Sequence, residues 1–160
     1  MGNTSRGFWR RCVSRLAIVG SLFAATLAGP AAAQEIVDDL GTLPAVGGAQ
    51  VFCGGARTYV ARMDELAATY PGMILVSRQL FSLPPLVQRY VYTHACSHLM
   101  LGSDEVAVDC HTIRLGRYQG WLTPASLGAL TRYLASSPGT WSHAPDARRE
   151  RRMWQCMQKT

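Results

Sequence analysis

The chain has 160 residues, 48% of them hydrophobic, and a formal net charge of +6 at neutral pH. Four of the sixteen basic residues lie in the first fifteen positions, where no acidic residue occurs, so the charge of the remainder is only +2. A balance this small argues against a broad basic surface, and we expect no nucleic-acid partner. The length predicts one domain with a modest core.

Residues 1–33 have the layout of a secretory signal peptide. Four arginines precede an apolar run at 16–27, and the small residues Ala31–Ala33 precede Gln34. We therefore predict cleavage after Ala33 and export to the periplasm or the cell exterior. The apolar run is too short for a comfortable membrane span, so no stable span is expected after cleavage. An uncleaved N-terminal anchor is the alternative.

The first half of the remaining chain predicts a small sheet. Residues 34–49, rich in Gly, Ala and Pro, predict a flexible N-terminal arm, and a domain is expected over 50–160. Short strands are predicted at "AQVFC" (49–53) and "RTYVA" (57–61). "DELAATY" (64–70) predicts a short helix that ends at a Pro-Gly pair, and "MILVS" (73–77) predicts a buried strand.

Four helices should follow. The main helix is predicted over 82–101, with two prolines in its first turn and Gly102 as its C-terminal cap. A second should occupy 103–117, with acidic residues in its first turn and arginines in its last. A third is expected over 124–136, and Asp146 should cap a fourth. The expected fold is a mostly helical α+β domain with a small sheet beside the main helix.

The cysteines predict two disulfides. Cys12 lies in the leader, which leaves an even number for an oxidising compartment: Cys53, Cys96, Cys110 and Cys156. Sequence alone leaves three pairings open. We favour Cys96–Cys110, which would hold two adjacent helices together, and Cys53–Cys156, which would fasten the ends of the chain.

The stretch "THACSH" predicts a metal site. His94 and His98 stand four residues apart, so on a helix they face the same way and can reach one ion. We expect a third ligand from the next helix, Glu105 by preference or Asp104 as its substitute. Asp109 would then accept a hydrogen bond from a ligand histidine and fix its tautomer. The alternative is two histidines that only form hydrogen bonds within the protein.

Simpler roles are expected for other residues near these motifs. The like charges of Glu105 and Asp109 could be neutralised by a cation, or by a buried arginine such as Arg114 or Arg151. His111 is expected at the surface of the second helix.

Three motifs in order, "THACSH", "EVAVD" and "SHAPDARRERR", resemble those of gluzincin zinc metallopeptidases. The similarity is to relatives of the CAAX prenyl endopeptidases and the HtpX heat-shock proteases in their small soluble forms, and it covers about residues 70–157. The resemblance implies a zincin-like (minigluzincin) domain with one zinc ion. It also implies site residues: His94, His98 and Glu105 as ligands, Asp109 beside them, His143 at the polarised carbonyl oxygen, and Arg148 or Arg151 as a supporting arginine.

The chain departs from that family at the residue that matters most for hydrolysis. Ala95 occupies the place of the glutamate that takes a proton from zinc-bound water, and Ala144 replaces a proline. General acid–base help of this kind contributes roughly a hundred- to ten-thousandfold in rate. Whether the protein is an enzyme is therefore left open.

Three functions follow from this departure. The favoured one is an exported metal-binding domain, inactive or weakly active, that holds a peptide along "MILVS" as an edge strand. An atypical zinc endopeptidase is the second, with Asp104 acting as the base. The third is a metal-free, disulfide-stapled interaction protein of the cell envelope.

Overall fold

The structure is a computed structural model, and it describes residues 35–136 and 146–158. Within these residues the chain forms four α-helices, a four-stranded sheet and a two-stranded sheet, which confirms the predicted α+β class. The predicted signal peptide and His143 lie outside the described residues.

The strands occupy the first part of the described chain. They are β1 (Glu35–Gly41), β2 (Ala45–Val46), β3 (Ala49–Gln50), β4 (Arg57–Arg62), β5 (Ala67–Tyr70) and β6 (Met73–Ser77). The larger sheet has the order β1-β4-β6-β5, in which β4 and β6 run parallel and the other pairs antiparallel. The "MILVS" strand is thus an interior strand, and its prediction as an edge strand is wrong.

Three local predictions in this part of the chain are corrected. Residues 64–70 do not form a helix, because 67–70 pair with β6 across a two-residue turn in which Gly72 has φ 76°. The predicted strand at 49–53 is limited to 49–50. The predicted arm at 34–49 contains β1, which pairs with β4, and β2, which pairs with β3.

The helices agree closely with the sequence. They are α1 (Pro85–Leu101), α2 (Glu105–Tyr118), α3 (Pro124–Ser136) and α4 (Ala147–Gln158), and a short 3-10 helix covers Arg78–Ser82. Gly102 ends α1 with φ 73°, a conformation that favours glycine. Asp104 then caps α2 by accepting hydrogen bonds from the backbone N–H groups of Val106 and Ala107.

Helix α1 is the centre of the molecule. It packs against β5 and β6 of the sheet and against α2, and every residue from Tyr90 to Ser97 is buried. Helix α4 packs against α2 in turn. A helix enclosed by neighbouring elements buries more than one stripe of its surface. His94 is thereby held in the interior beside the start of α2.

Two disulfides fasten these elements, Cys53–Cys96 and Cys110–Cys156. The pairings favoured from sequence, Cys96–Cys110 and Cys53–Cys156, are therefore wrong. At about 100° per residue, Cys96 lies about 200° around α1 from His94. Because His94 faces α2, Cys96 faces the segment after β3, where Cys53 lies. Cys110 pairs instead with Cys156 of α4.

The two disulfides are compatible with an extracellular location. Within 35–136 and 146–158, no helix combines the length and the apolar character needed to cross a membrane.

Candidate metal centre

Two histidines of α1 and the first residue of α2 converge on one point. The Nε2 atoms of His94 and His98 are 3.0 Å apart. In the Glu105 carboxylate, Oε2 lies 3.4 Å from Nε2 of His94, and Oε1 lies 3.3 Å from Nε2 of His98. The structure thus brings together the three predicted ligands, and the group could hold a metal ion.

These separations match those of ligands around a small ion. Zinc lies about 2.0–2.1 Å from histidine nitrogen and about 2.0–2.2 Å from carboxylate oxygen. Two such ligands at the tetrahedral angle are about 3.3 Å apart. The three observed distances, 3.0, 3.3 and 3.4 Å, need only small adjustments to reach that geometry.

The outer nitrogens of both rings face hydrogen-bond acceptors. Nδ1 of His98 lies 2.8 Å from the carbonyl oxygen of Gly102, and Nδ1 of His94 lies 3.3 Å from Oδ1 of Asp109. A neutral imidazole that donates from Nδ1 has a lone pair on Nε2. Both Nε2 atoms, which lie within hydrogen-bonding distance of each other, and the Glu105 carboxylate can then serve as metal ligands. A cation at their centre could be bound by all three.

Asp109 is the buried anion behind this group, with 0% of its surface exposed. Its Oδ1 accepts hydrogen bonds from Oη of Tyr90 at 3.2 Å and from Nη2 of Arg149 at 2.6 Å, and its Oδ2 accepts from Nε of Arg149 at 2.7 Å. Burial alone would raise the pKa of Asp109, but hydrogen bonds from His94 and Arg149 outweigh it and hold the pKa at about 2. Asp109 is therefore charged, as its predicted role requires.

The arginine that supports the site is Arg149, and not Arg148 or Arg151 as predicted. Arg149 is 7% exposed, whereas Arg148 and Arg151 are exposed on the outer side of α4. Its Nη2 also lies 3.6 Å from Oε2 of Glu105. The sequence did carry a signal, because Arg149 precedes the buried Met153 and Cys156 at spacings of four and seven and so shares their face.

The ligand group is open on one side. The side chain of His94 is 4% exposed, that of His98 17% and that of Glu105 36%. Burial lowers the pKa of His94 below its ordinary value, although the hydrogen bond to Asp109 acts in the opposite direction. A neutral buried imidazole is ready to bind metal, and a further ligand could approach from the Glu105 side.

The other candidate residues predicted from the sequence lie outside the ligand group of His94, His98 and Glu105. Asp104 is the N-terminal cap of α2 and is not among the three convergent ligands. Nδ1 of His111 is hydrogen-bonded to Oγ of buried Ser97 at 2.9 Å. Arg114 lies elsewhere, lining a small cavity beside the Cys110–Cys156 disulfide. Ala95 is 5% exposed and belongs to the hydrophobic core.

The chain matches no family model, no curated protein and no solved structure. Function must therefore be inferred from the geometry of the site and from the order of the sequence motifs. Of the motifs that resemble gluzincin peptidases, the structure supports the part that it describes, a His94, His98 and Glu105 cluster suited to a metal.

Proposed function

We propose that the protein is an exported zinc-binding domain, related in its site to gluzincin peptidases but with little or no peptidase activity. The observation that carries the proposal is the convergence of three acceptor groups, His94, His98 and Glu105, at 3.0–3.4 Å from one another. Two imidazoles and one carboxylate form a ligand set known from catalytic zinc sites, which keep a fourth position for water or substrate.

The chemistry of the site argues against efficient hydrolysis. Ala95 has no group to take a proton from zinc-bound water. Asp104, the predicted substitute base, uses Oδ1 to cap α2. We expect peptide hydrolysis to lie roughly a hundred- to ten-thousandfold below that of a site with the glutamate.

A zinc site without a base can still bind a partner. The fourth coordination position would face the partly exposed side of Glu105, where a donor atom of a peptide or protein segment could enter. Strand β5 ends the sheet among the described strands and packs on α1, so it offers main-chain groups close to the zinc helix. We propose β5, in place of "MILVS", as the strand along which such a segment pairs.

Metal analysis tests this function. The purified mature protein should contain one zinc per chain, and a competing chelator should report its affinity. His94→Ala or His98→Ala should lower that affinity at least a hundredfold, because each change removes one of three ligands. His111→Ala is the matched control, since it leaves the cluster intact. A folded protein that stays free of zinc would instead favour a disulfide-stapled interaction protein.

Restoring the missing carboxylate tests the catalytic part. Ala95→Glu should raise hydrolysis of an unstructured protein at least tenfold, whereas Ala95→Gln should not, because an amide of equal size cannot accept the proton. Zinc content and far-UV circular dichroism would show that both variants are folded and loaded. Equal activities of the two loaded variants would contradict the proposed ancestry, and strong hydrolysis by the unchanged protein would favour an active, atypical endopeptidase.

A further inference from the structure

A second candidate site lies on the opposite face of α1. There a cavity of about 340 Å³ opens between the segment 50–52, helix α1 and the C-terminal end of α2. Helix α1 lines it with residues 89, 92, 93 and 96, which share one face because they recur at intervals of three and four. That face is turned by about half a circle from His94 and His98. The cavity is therefore separate from the metal centre.

Arg89 gives this cavity its charge. It is the only charged residue among the described residues of the lining, which contain no aspartate or glutamate. Its Nε atom is buried and makes no hydrogen bond within the described part of the chain. A buried, charged donor without an acceptor is costly, and an anionic ligand would remove that cost.

The side chain of Arg89 is fixed from behind. Gly47 lies in the turn between β2 and β3 with φ 60°, and a Cβ added there would be 2.6 Å from Cγ of Arg89. The backbone of Gly47 thus packs directly on the stem of the arginine. The N–H of Gly47 also donates to Oε1 of Gln88 at 3.0 Å, which ties the turn to α1. The stem of this lining residue is thereby confined, which lowers the entropic cost of binding a ligand there.

Aromatic rings supply the apolar part of the cavity. Nε1 of Trp121 donates to Oε1 of Gln119 at 2.8 Å, and the hydroxyl of Tyr92 is hydrogen-bonded to Oγ1 of Thr58 at 2.9 Å. With its polar end satisfied, the Trp121 ring presents apolar surface, whereas Tyr92 is 1% exposed and presents almost none. Phe52 stands at the rim with 68% of its surface exposed. The lining thus combines one cation and aromatic surface with the polar side chains of Gln50, Thr93 and Gln119.

We propose that this cavity binds a small carboxylic acid with an aromatic body, whose carboxylate pairs with Arg89 and whose ring packs on Trp121 and Phe52. The volume suits a small ligand, and one convergent charge beside aromatic surface can orient an organic acid. A free arylalkanoic acid and the C-terminal aromatic residue of a peptide share this chemistry.

Calorimetric titration of the whole mature protein tests the site with three probes: 3-phenylpropanoate, its neutral amide, and N-acetylphenylalanine. We expect saturable 1:1 binding of 3-phenylpropanoate, at least tenfold tighter than that of the amide, because the amide cannot pair with a guanidinium through two charged oxygens. N-acetylphenylalanine binding at least as tightly as 3-phenylpropanoate would identify a peptide C-terminus as the source, and weaker binding would identify a free acid. Equal affinities for acid and amide, or no saturable binding of either acid, would overturn the proposal.

Variants locate the binding in this cavity. Arg89→Leu should weaken the binding of 3-phenylpropanoate at least tenfold, whereas Arg78→Leu, the same change at an exposed arginine outside the cavity, should leave it unchanged. Phe52→Ala, at the exposed rim, should weaken it severalfold without disturbing the core, and it serves where Arg89→Leu fails to fold. An affinity unaltered by Phe52→Ala and by a folded Arg89→Leu would refute the assignment.

Discussion

Replacing Arg149 with methionine should lower the free energy of unfolding by about 3–5 kcal/mol, the usual cost of removing one partner of a buried ion pair. Asp109 is 0% exposed, and two of its hydrogen bonds, at 2.6 and 2.7 Å, come from Arg149. Methionine fills a similar space, so the change removes the charge and the hydrogen bonds with little loss of volume. Among the described residues, Tyr90 and His94 would remain as partners of Asp109.

The low pKa of Asp109 reflects the same contacts with its partners. The value of about 2, against 3.8 for the free carboxyl group, corresponds to about 2 kcal/mol in favour of the charged form. That figure is what remains after the cost of burial has been met, and Arg149 supplies a large part of it together with His94. Without Arg149, the unfavourable free energy of burying the charged Asp109 carboxylate is less well offset, so stability should fall further.

Urea unfolding followed by circular dichroism, with the disulfides intact, measures the effect. Arg151→Met is the matched control, because Arg151 is exposed on the same helix and its loss should change stability by less than about 0.5 kcal/mol. Zinc affinity should also fall about 10- to 100-fold in Arg149→Met, since Asp109 orients the ring of His94. Equal stabilities of the two variants would refute the assignment of Arg149 to the site.

Three further changes probe the same architecture by urea unfolding. Gly116→Ala should lower the free energy of unfolding by about 1–3 kcal/mol, since the added Cβ would lie 2.8 Å from the Trp121 ring. Gly128→Ala is the control and should lower it by nothing, because the nearest atom to its added Cβ is 3.5 Å away. Equal losses in the two variants would contradict this packing. Asp104→Ala should cost about 1 kcal/mol by removing the cap of α2, and no loss would speak against that cap. The pKa of Asp109 is lower in the folded protein than in the unfolded one, so the charged carboxylate stabilises the fold fully above pH 3.8. The free energy of unfolding should therefore exceed that of Asp109→Asn above pH 3.8, and the difference should vanish as the pH falls toward about 2. A difference that grows on acidification would contradict the ion pair.

The helices were predictable because their ends carry local chemistry. The prolines before α1, Gly102 after it, and the side chains of Asp104 and Asp146 each mark a boundary by satisfying or omitting specific backbone groups. The mistaken helix at 64–70 arose because "DELAA" favours helix locally. In the structure, pairing of 67–70 with β6 outweighs this local helix preference. The Pro-Gly pair, predicted to end a helix, forms the turn of a β-hairpin.

The site was predictable in its ligands but not in its crosslinks. The spacing of His94 and His98 fixes one face of α1, and a carboxylate at the start of the next helix falls opposite it. The same spacing excludes Cys96–Cys110, because Cys96 faces away from α2 whenever His94 faces toward it. That consequence was available from sequence. To identify Arg149 as the supporting arginine, instead of Arg148 or Arg151, one must know which face of α4 packs on α2, and the structure supplies this.

The two disulfides close consecutive stretches of chain, 53–96 and 110–156, that do not interlock. His98 and Glu105 lie in the short stretch between them. Each ring can therefore be opened by a reductant, or closed by a thiol oxidase, without first undoing the other. An ion shared by His94, His98 and Glu105 would add a crosslink in the stretch that neither disulfide spans, where the peptide backbone joins one ring to the next.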